Sequence, residues 1–394
     1  MMWRVSYTGD LNKRDELKVN RGVGMKTKYS TVKQSIKSKI LDGTYKPNQK
    51  ISSESELMKE FGVSRHTVRL ALGDLVTTGW LYREQGAGTF CADRTKNEPQ
   101  TGQVQSKNIA IITTYISDYI FPSIIRGAEK QLSEHGYNVS LFSTNNDHDT
   151  EKKVLETILS QHFDGVIVEP TQSATTNPNI NYYLNLESKN IPYIMINAFY
   201  DELEPISITL NDEKGTYLQT EHLIDLDHKN IIGFFKTDDK QGSQRMKGYL
   251  KAHRDHDMTI IPSNIITYHT DDKETKPLEK LEDILSQSTS DRPTAIICYN
   301  DELAVKLLDV IRERQLNIPN DISIVGFDDS FLANVSEVKL TTIKHPLSEL
   351  GEAAGKLILD MIKESKDDTK DAKKPKSVVF EPELISRNST KKLN

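Results

Sequence analysis

Arg65, His66 and Arg69 place two guanidiniums and an imidazole on the opening turns of one predicted helix. Side chains of that type can read DNA base edges, because Arg donates bidentately to guanine O6 and N7 and the major groove admits a helix. Other chemistries lack their residues. There is no GxSxG and no HExxH, and the run from Gly22 to Thr27 lacks the first glycine and the spacing of a phosphate-binding loop. Asp328 and Asp329 are adjacent, so in a strand their carboxyls would point to opposite sides and make a poor acid–base pair. His253 and His256 fall on a Lys/Arg-rich helix and are expected on a solvated face. Cys91 and Cys298 belong to no metal-ligand spacing. Neither an enzyme nor a metal protein is expected.

Three helices must position the basic turn. The first is predicted from about Thr31 to Asp42, with Val32, Ile36 and Ile40 inward and Gly43 as its stop. The second starts at Ser53, where Ser53-Glu54-Ser55-Glu56 is a capping box, and turns Leu57 and Phe61 inward. Gly62 makes the tight turn and Val63 packs into it. Ser64 caps the third helix, whose Val68, Ala71, Leu72 and Leu75 face the core and leave Arg65, His66, Thr67 and Arg69 outward. Two short helices joined at a glycine, the second opening on basic residues, match a helix-turn-helix. LYREQGAGTF (81–90) follows, a hairpin wing around Gly86 and Gly88 that carries Arg83 and Gln85 toward phosphates or the minor groove. A three-helix protein–protein module with solvated charges is the alternative.

Charge supports the DNA-reading choice. Residues 26–93 carry eleven Lys/Arg against seven Asp/Glu, whereas residues 94–394 carry a net charge of -12. A basic unit on an acidic body is expected of a DNA reader with a separate regulatory domain. The polar stretch 92–108, with Pro99 and Gly102, is predicted as a linker. Beyond it, apolar strands alternate with amphipathic helices: IAII (109–112), VSLF (139–142), GVIVEP (165–170), PYIMIN (192–197), ISITL (206–210), IIGFF (231–235), AIICY (295–299) and ISIVGF (322–327). Strands apolar throughout imply parallel sheets covered on both faces, and ligands of such sheets bind beyond the strands' carboxyl ends. About 280 residues is large for one sheet, so two lobes around a cleft are expected.

Residues 27–92, through ELMKEFGVSRHTVRLALGDLVTTGWLYREQGAGTF, resemble the GntR-type winged helix domain. The resemblance implies that Arg65, His66 and Arg69 contact DNA, with Ser64 and Thr67 in the same motif and Gln85 and Gly86 in the wing. Lys28 and Tyr29, expected before the first helix, are candidate phosphate contacts, and Glu54 is a weaker candidate. Residues 108–388 resemble the LacI/GalR effector domain, related to periplasmic sugar-binding proteins, through NIAIITTYISDYIFPSIIRGAEKQLSEHGY, FDGVIVEP, GTYLQTEHLIDLDHKNIIGFF, RMKGYLKAH, AIICYNDELA, ISIVGFDDS and LTTIKHP. The pairing resembles the L-arabinose-utilisation repressors of Gram-positive bacteria.

That resemblance implies a sugar site in the cleft. Arg245, Asn300 and Asp328 match the family's sugar-contacting positions, and Asn197 stands where many relatives have Asp. Tyr119 and Phe121, just before a helix, are the expected lid on the sugar ring. Glu169 and His345 are further cleft candidates, and so are Gln241 and Tyr268. Asn300 could equally cap the helix from Asp301, Asp328 could cap a turn, and Glu169 could be a hinge or surface residue. The resemblance also implies a homodimer on palindromic double-stranded operator DNA, released by L-arabinose, with no cofactor. The alternatives are a repressor responding to another sugar and, in a different class, a transport sugar-binding protein. No run of eighteen apolar residues and no apolar signal region occurs, so no membrane association and a cytoplasmic location are expected. The expected division is an extra segment 1–24 (disordered or not natively translated, with Met25 as the start), a DNA-binding domain 25–92, a linker 93–107, a sugar-binding and dimerisation domain 108–388 and a tail 389–394.

Overall fold

The computed structural model describes residues 28–93, 107–117, 119–286, 292–365 and 375–393. The proposed segment 1–24 and nearly all of the proposed linker lie outside them. Contacts divide the chain into a small N-terminal unit and a large one.

The small unit contains α1 (Lys28–Leu41), α2 (Glu54–Phe61), α3 (Arg65–Thr77) and the hairpin β1 (Leu81–Glu84) with β2 (Gly88–Cys91). Helix α1 starts earlier than apolar spacing suggests, so Lys28 and Tyr29 form its first turn and do not precede it; nothing in Lys28-Tyr29-Ser30 opposes a helix. Val32 and Ile36 are fully buried, and the next inward residue is Leu41, with Ile40 half-buried. The Ser53 side chain caps α2 by accepting from Glu56 N, and the Glu56 carboxylate answers at Ser53 N, completing the box. Gly62 takes the left-handed conformation at φ 58° that ends α2. Leu57, Val68, Ala71, Leu72, Leu75, Trp80 and Leu81 form the core; Phe61 is only half-buried. Residues 49–51 bond along β2, widening the wing's base.

The large unit holds two lobes. The first contains β3 (Asn108–Thr113), α4 (Phe121–Glu134), β4 (Asn138–Ser143), α5 (His148–Ser160), β5 (Gly165–Val168), α6 (Ile180–Ser188), β6 (Tyr193–Ile196) and β7 (Ser207–Leu210). The second contains α7 (Asp212–Asp225), β8 (Ile231–Lys236), α8 (Lys240–Asp255), β9 (Ile265–Tyr268), α9 (Lys276–Leu285), β10 (Ala295–Ile297), α10 (Asp301–Glu313), β11 (Ser323–Val325), α11 (Phe331–Val335) and β12 (Thr342–Lys344). The chain then returns through α12 (Leu347–Glu364) and β13 (Val378–Phe380) to the first lobe and through β14 (Glu383–Ile385) to pair with β12. The first sheet runs β4-β3-β5-β6-β7-β13 and the second β9-β8-β10-β11, both parallel throughout.

Both faces of each sheet are covered over its inner strands, which is why those strands are apolar without alternation, whereas the edge strands β4 and β13 have no buried residue. Ile109, Ile111, Ile167 and Ile194 pack against α4 and α12, while Ala110, Ile112, Val166, Val168 and Met195 are buried from the other side. In the second lobe, Ile232, Phe234, Ile296 and Ile324 meet α9 and α10, and Ile231, Phe235, Ile297 and Val325 meet Leu223 and Tyr249 of α7 and α8.

Two expectations are corrected here. His253 is not on a solvated face: it is 1% exposed, its ring packs at a tilt against Tyr249 with centroids 4.2 Å apart, and burial holds its imidazole below the ordinary pKa. Residues 389–393 are not a tail outside the domain. Ser389 is fully buried, donates to Ile324 O and accepts from Thr341 N at 2.8 Å, while Leu393 N donates to Leu226 O at 2.9 Å.

Helices α4 and α12 cross where each has a glycine. A Cβ on Gly127 would stand 2.3 Å from Ser348 O and one on Gly351 2.0 Å from Ile124 O. Gly351→Ala therefore forces the helices apart. It is expected to lower the stability of the large unit by about 1–3 kcal/mol, read as an earlier urea midpoint; an unchanged midpoint would show that the crossing yields without strain.

Candidate functional site

In the small unit, the start of α3 is built by its cap. Ser64 Oγ accepts from Thr67 N at 3.2 Å and lies 2.9 Å from Thr67 Oγ1, so both side chains are engaged in shaping the first turn. Arg65 and His66 are exposed. Arg69, four residues from Arg65 and on the same side of the helix, is exposed too, and its Nε stands 3.2 Å from Glu54 Oε1 at the start of α2. Gln85 and Gly86 sit at the wing tip, where Gly86 adopts φ 77°. Lys28 is exposed on α1. Tyr29 is half-buried, its hydroxyl bonded to Asp74, which also pairs with Lys33 at 2.9 Å.

In the large unit, one cavity of about 520 Å³ opens between the lobes at the carboxyl ends of both sheets. All nine residues expected in the cleft line it (Tyr119, Phe121, Glu169, Asn197, Arg245, Tyr268, Asn300, Asp328 and His345), as does Gln241. From the first lobe, Glu169 directly follows β5 and is 5% exposed. Its carboxylate accepts from Thr114 N (3.0 Å), Thr114 Oγ1 (2.7 Å) and Asn197 Nδ2 (3.0 Å), and burial holds its pKa above the ordinary value.

From the second lobe comes Arg245, in the second turn of α8 and 4% exposed. Its Nε donates to Asp212 Oδ1 at 2.8 Å, Nη1 to Tyr299 O at 2.6 Å, and Nη2 lies 3.5 Å from Asp328 Oδ1. The guanidinium rests 3.5 Å from the centre of the Phe327 ring. Burial opposes its charge, but Asp212 and Asp328 outweigh burial and hold Arg245 firmly protonated. For Asp328 burial likewise pushes the carboxyl up, yet Arg245 and His345 bring it below its ordinary value. His345 Nδ1 stands 3.3 Å from Asp328 Oδ1.

Asn197, Tyr119 and Asp328 hold φ of 63°, 58° and 98°. Such conformations cost non-glycine residues free energy and gather at functional sites. Two cavity-lining atoms, Asn197 Oδ1 and His345 Nε2, are buried with no hydrogen-bond partner among the described residues.

Some residues also have structural duties. Asn300 caps α10 by accepting from Leu303 N at 2.9 Å. Phe121 does not precede its helix but opens α4, packed in the first lobe's core at 7% exposure. Tyr119 reaches across the cavity: its hydroxyl donates to Phe327 O at 2.9 Å and accepts from Asp301 N at 3.1 Å. Asp301 beneath is pushed up to about 7 by burial and by Asp328.

Sequence reasoning missed Asp212, Lys236, Asp239 and Tyr299, all of which line the cavity. Lys236 is buried and pairs with Asp238 at 2.9 Å and Asp239 at 2.6 Å. The signal was there. Asp212, Lys236 and Tyr299 each fall at or just past the carboxyl end of a strand, where ligands of parallel sheets bind.

Comparison with known proteins adds two matches within the chain. Residues 28–91 match "Bacterial regulatory proteins, gntR family", and residues 220–390 match "Periplasmic binding protein-like domain". The chain is 59% identical to an arabinose metabolism transcriptional repressor of Halalkalibacterium halodurans, covering 93% of this chain and 97% of the relative. It is 49% identical to one of Geobacillus stearothermophilus, covering 93% and 98%. Among solved structures, a LacI family transcriptional regulator of Enterococcus faecalis with bound ribose superposes with TM-score 0.61 at 25% identity, over 73% of this chain and all of the other.

Tyr119→Phe removes both bonds that its hydroxyl makes between the lobes. The large unit should lose about 1–2 kcal/mol of stability in urea unfolding, and a loss near zero would mean that water replaces those bonds without penalty.

Proposed function

We propose that L-arabinose releases this protein from DNA, proceeding from the fact that the chain belongs to the family of the arabinose metabolism transcriptional repressors. It is a sugar-responsive transcriptional repressor with a GntR-type helix-turn-helix and a periplasmic-binding-like effector domain.

The observation that carries the ligand assignment is the pair of orphaned atoms in the cavity. A buried polar atom without a partner costs about 1–3 kcal/mol, so Asn197 Oδ1 and His345 Nε2 need a group that the chain itself does not supply. Asn197 Oδ1 accepts only, which calls for a donor such as a hydroxyl. The same cavity is lined by acceptors at Glu169 and Asp328 and donors on Arg245, the mixture a sugar's hydroxyls satisfy. Tyr119, Phe121, Tyr268 and Tyr299 supply ring surface for its apolar face. The volume suits a small ligand. No cofactor is invoked.

On the DNA side, Arg65, His66 and Arg69 read base edges, with Glu54 holding Arg69 in place. Lys28, Gln85 and Gly86 approach phosphates. Ser64 and Thr67 contribute through the capped first turn, whose free N–H groups suit a phosphate. Tyr29 buttresses Asp74 and contacts the backbone only at its edge. A homodimer presents two such turns to a palindromic operator, in the cytoplasm where the DNA lies. Sugar favours the arrangement of the lobes that fits the operator less well, with a coupling of about 1–3 kcal/mol.

A gel shift on operator DNA from an arabinose-utilisation promoter, titrated with L-arabinose, should show release. Calorimetry against a panel of pentoses and hexoses should rank L-arabinose first. Unchanged operator affinity would sink the effector assignment, and a tighter partner in the panel would replace the sugar.

Two substitutions separate the halves. Arg65→Ala should abolish operator recognition with sugar binding intact, and Arg245→Ala should abolish the sugar response with operator binding intact. An Arg245→Ala protein still released by sugar would remove that residue from the site.

A further inference from the structure

We infer that Asp212 is a positioning residue for the sugar site, acting through Arg245. The inference rests on the reading of the cavity as a sugar site and goes beyond it, since no sequence pattern singled out Asp212 and the residue need not touch the ligand.

Asp212 is the first residue of α7, where the chain has just crossed from the first lobe to the second. It is 7% exposed, and Arg245 is the cation it pairs with. A guanidinium has five N–H donors in a fixed planar fork. Asp212 takes the Nε donor at 2.8 Å and Tyr299 O takes one on Nη1 at 2.6 Å. These two bonds fix the plane of the fork against the Phe327 ring 3.5 Å away. The donors left over lie on the Nη edge, whose Nη2 is only at 3.5 Å from Asp328. Hydroxyl recognition therefore falls to that edge, and Asp212 decides where it points.

Asp212 also supplies a second negative charge. With Asp328 alone, one carboxylate would have to balance Arg245 and also accept from the ligand. With Asp212 on the far side, Arg245 stays charged while Asp328 is left available to a hydroxyl. A buried pair is strongly damaged when one partner goes, because the remaining charge is uncompensated.

The test is a double-mutant cycle read by calorimetry with L-arabinose. Asp212→Asn keeps size and shape but removes the charge and should raise the Kd about tenfold or more. In an Arg245→Gln background, which lacks both the guanidinium fork and its charge, the same change should alter the Kd by less than about threefold. Equal fold-changes in both backgrounds, or an Asp212→Asn protein that does not fold, would make Asp212 merely structural and overturn the inference. Equal sugar affinity in Asp212→Asn and wild type would overturn it as well, leaving the sugar reading intact. A wild-type protein that binds no sugar of the panel would overturn the sugar reading and this inference together.

Discussion

A guanidinium buried between two lobes is the constraint around which the large unit is arranged. Removing Arg245 from water is expensive unless its charge and donors are met. They are met by Asp212, the Tyr299 carbonyl and Asp328, with the Phe327 ring beneath. Each partner lies where the chain passes between lobes or leaves a strand. Asp212 follows β7 directly, and Asp328 bridges to Lys344 beside the crossover that His345 enters. Phe327 itself packs with Leu210 and Ile343 under those crossovers. A ligand that bonds Arg245 and Asp328 thus sits beside the segments that connect the two lobes.

Bonds across the cavity do not all depend on a ligand. Tyr119 joins the first lobe to Phe327 and Asp301, Asn146 Nδ2 donates to Thr270 Oγ1 at 2.6 Å, and Lys240 N donates to Ser173 Oγ at 2.9 Å. Such contacts favour this lobe arrangement before any sugar arrives. Weak intrinsic preference makes a sensor easy to shift, because a ligand moves an equilibrium only by its differential affinity for the two arrangements. The cavity is only partly satisfied: Lys236 is paired by Asp238 and Asp239, while Asn197 Oδ1 and His345 Nε2 have no hydrogen-bond partner among the described residues.

Much of this was legible in the residues, for identifiable reasons. The eight apolar runs are all strands, and most are apolar throughout because the inner strands of sheets covered on both faces must be; VSLF lies in the edge strand β4, none of whose residues is buried. Ser53 and Glu56 announced α2, and Gly62 its end. What escaped was whatever tertiary contact decides. Strand β9, ending in Tyr268, is an edge strand with partly exposed residues, and β12, β13 and β14 have three residues each, too short for periodicity. His253 looked solvated from its Lys/Arg neighbours, yet α8 turns it against Tyr249. The bonds of residues 389–393 to β11 and α7 involve partners dozens to well over a hundred positions away. The cavity residues came largely from resemblance; Asp212 and Lys236 carried only the general signal of a strand's carboxyl end, and the folded chain showed what they pair with.

The division of those residues between lobes limits which ligands can act as a switch. Glu169 and Asn197 belong to the first lobe, Arg245 and Asp328 to the second. A molecule held by one set alone binds either arrangement of the lobes equally and shifts nothing, however tightly it binds. Only one whose hydroxyls meet both sets at once gains affinity from the approach of the lobes. On the proposed reading of the cavity, affinity and release are therefore separable properties of a ligand, because tight binding to one lobe's residues does not by itself move the equilibrium.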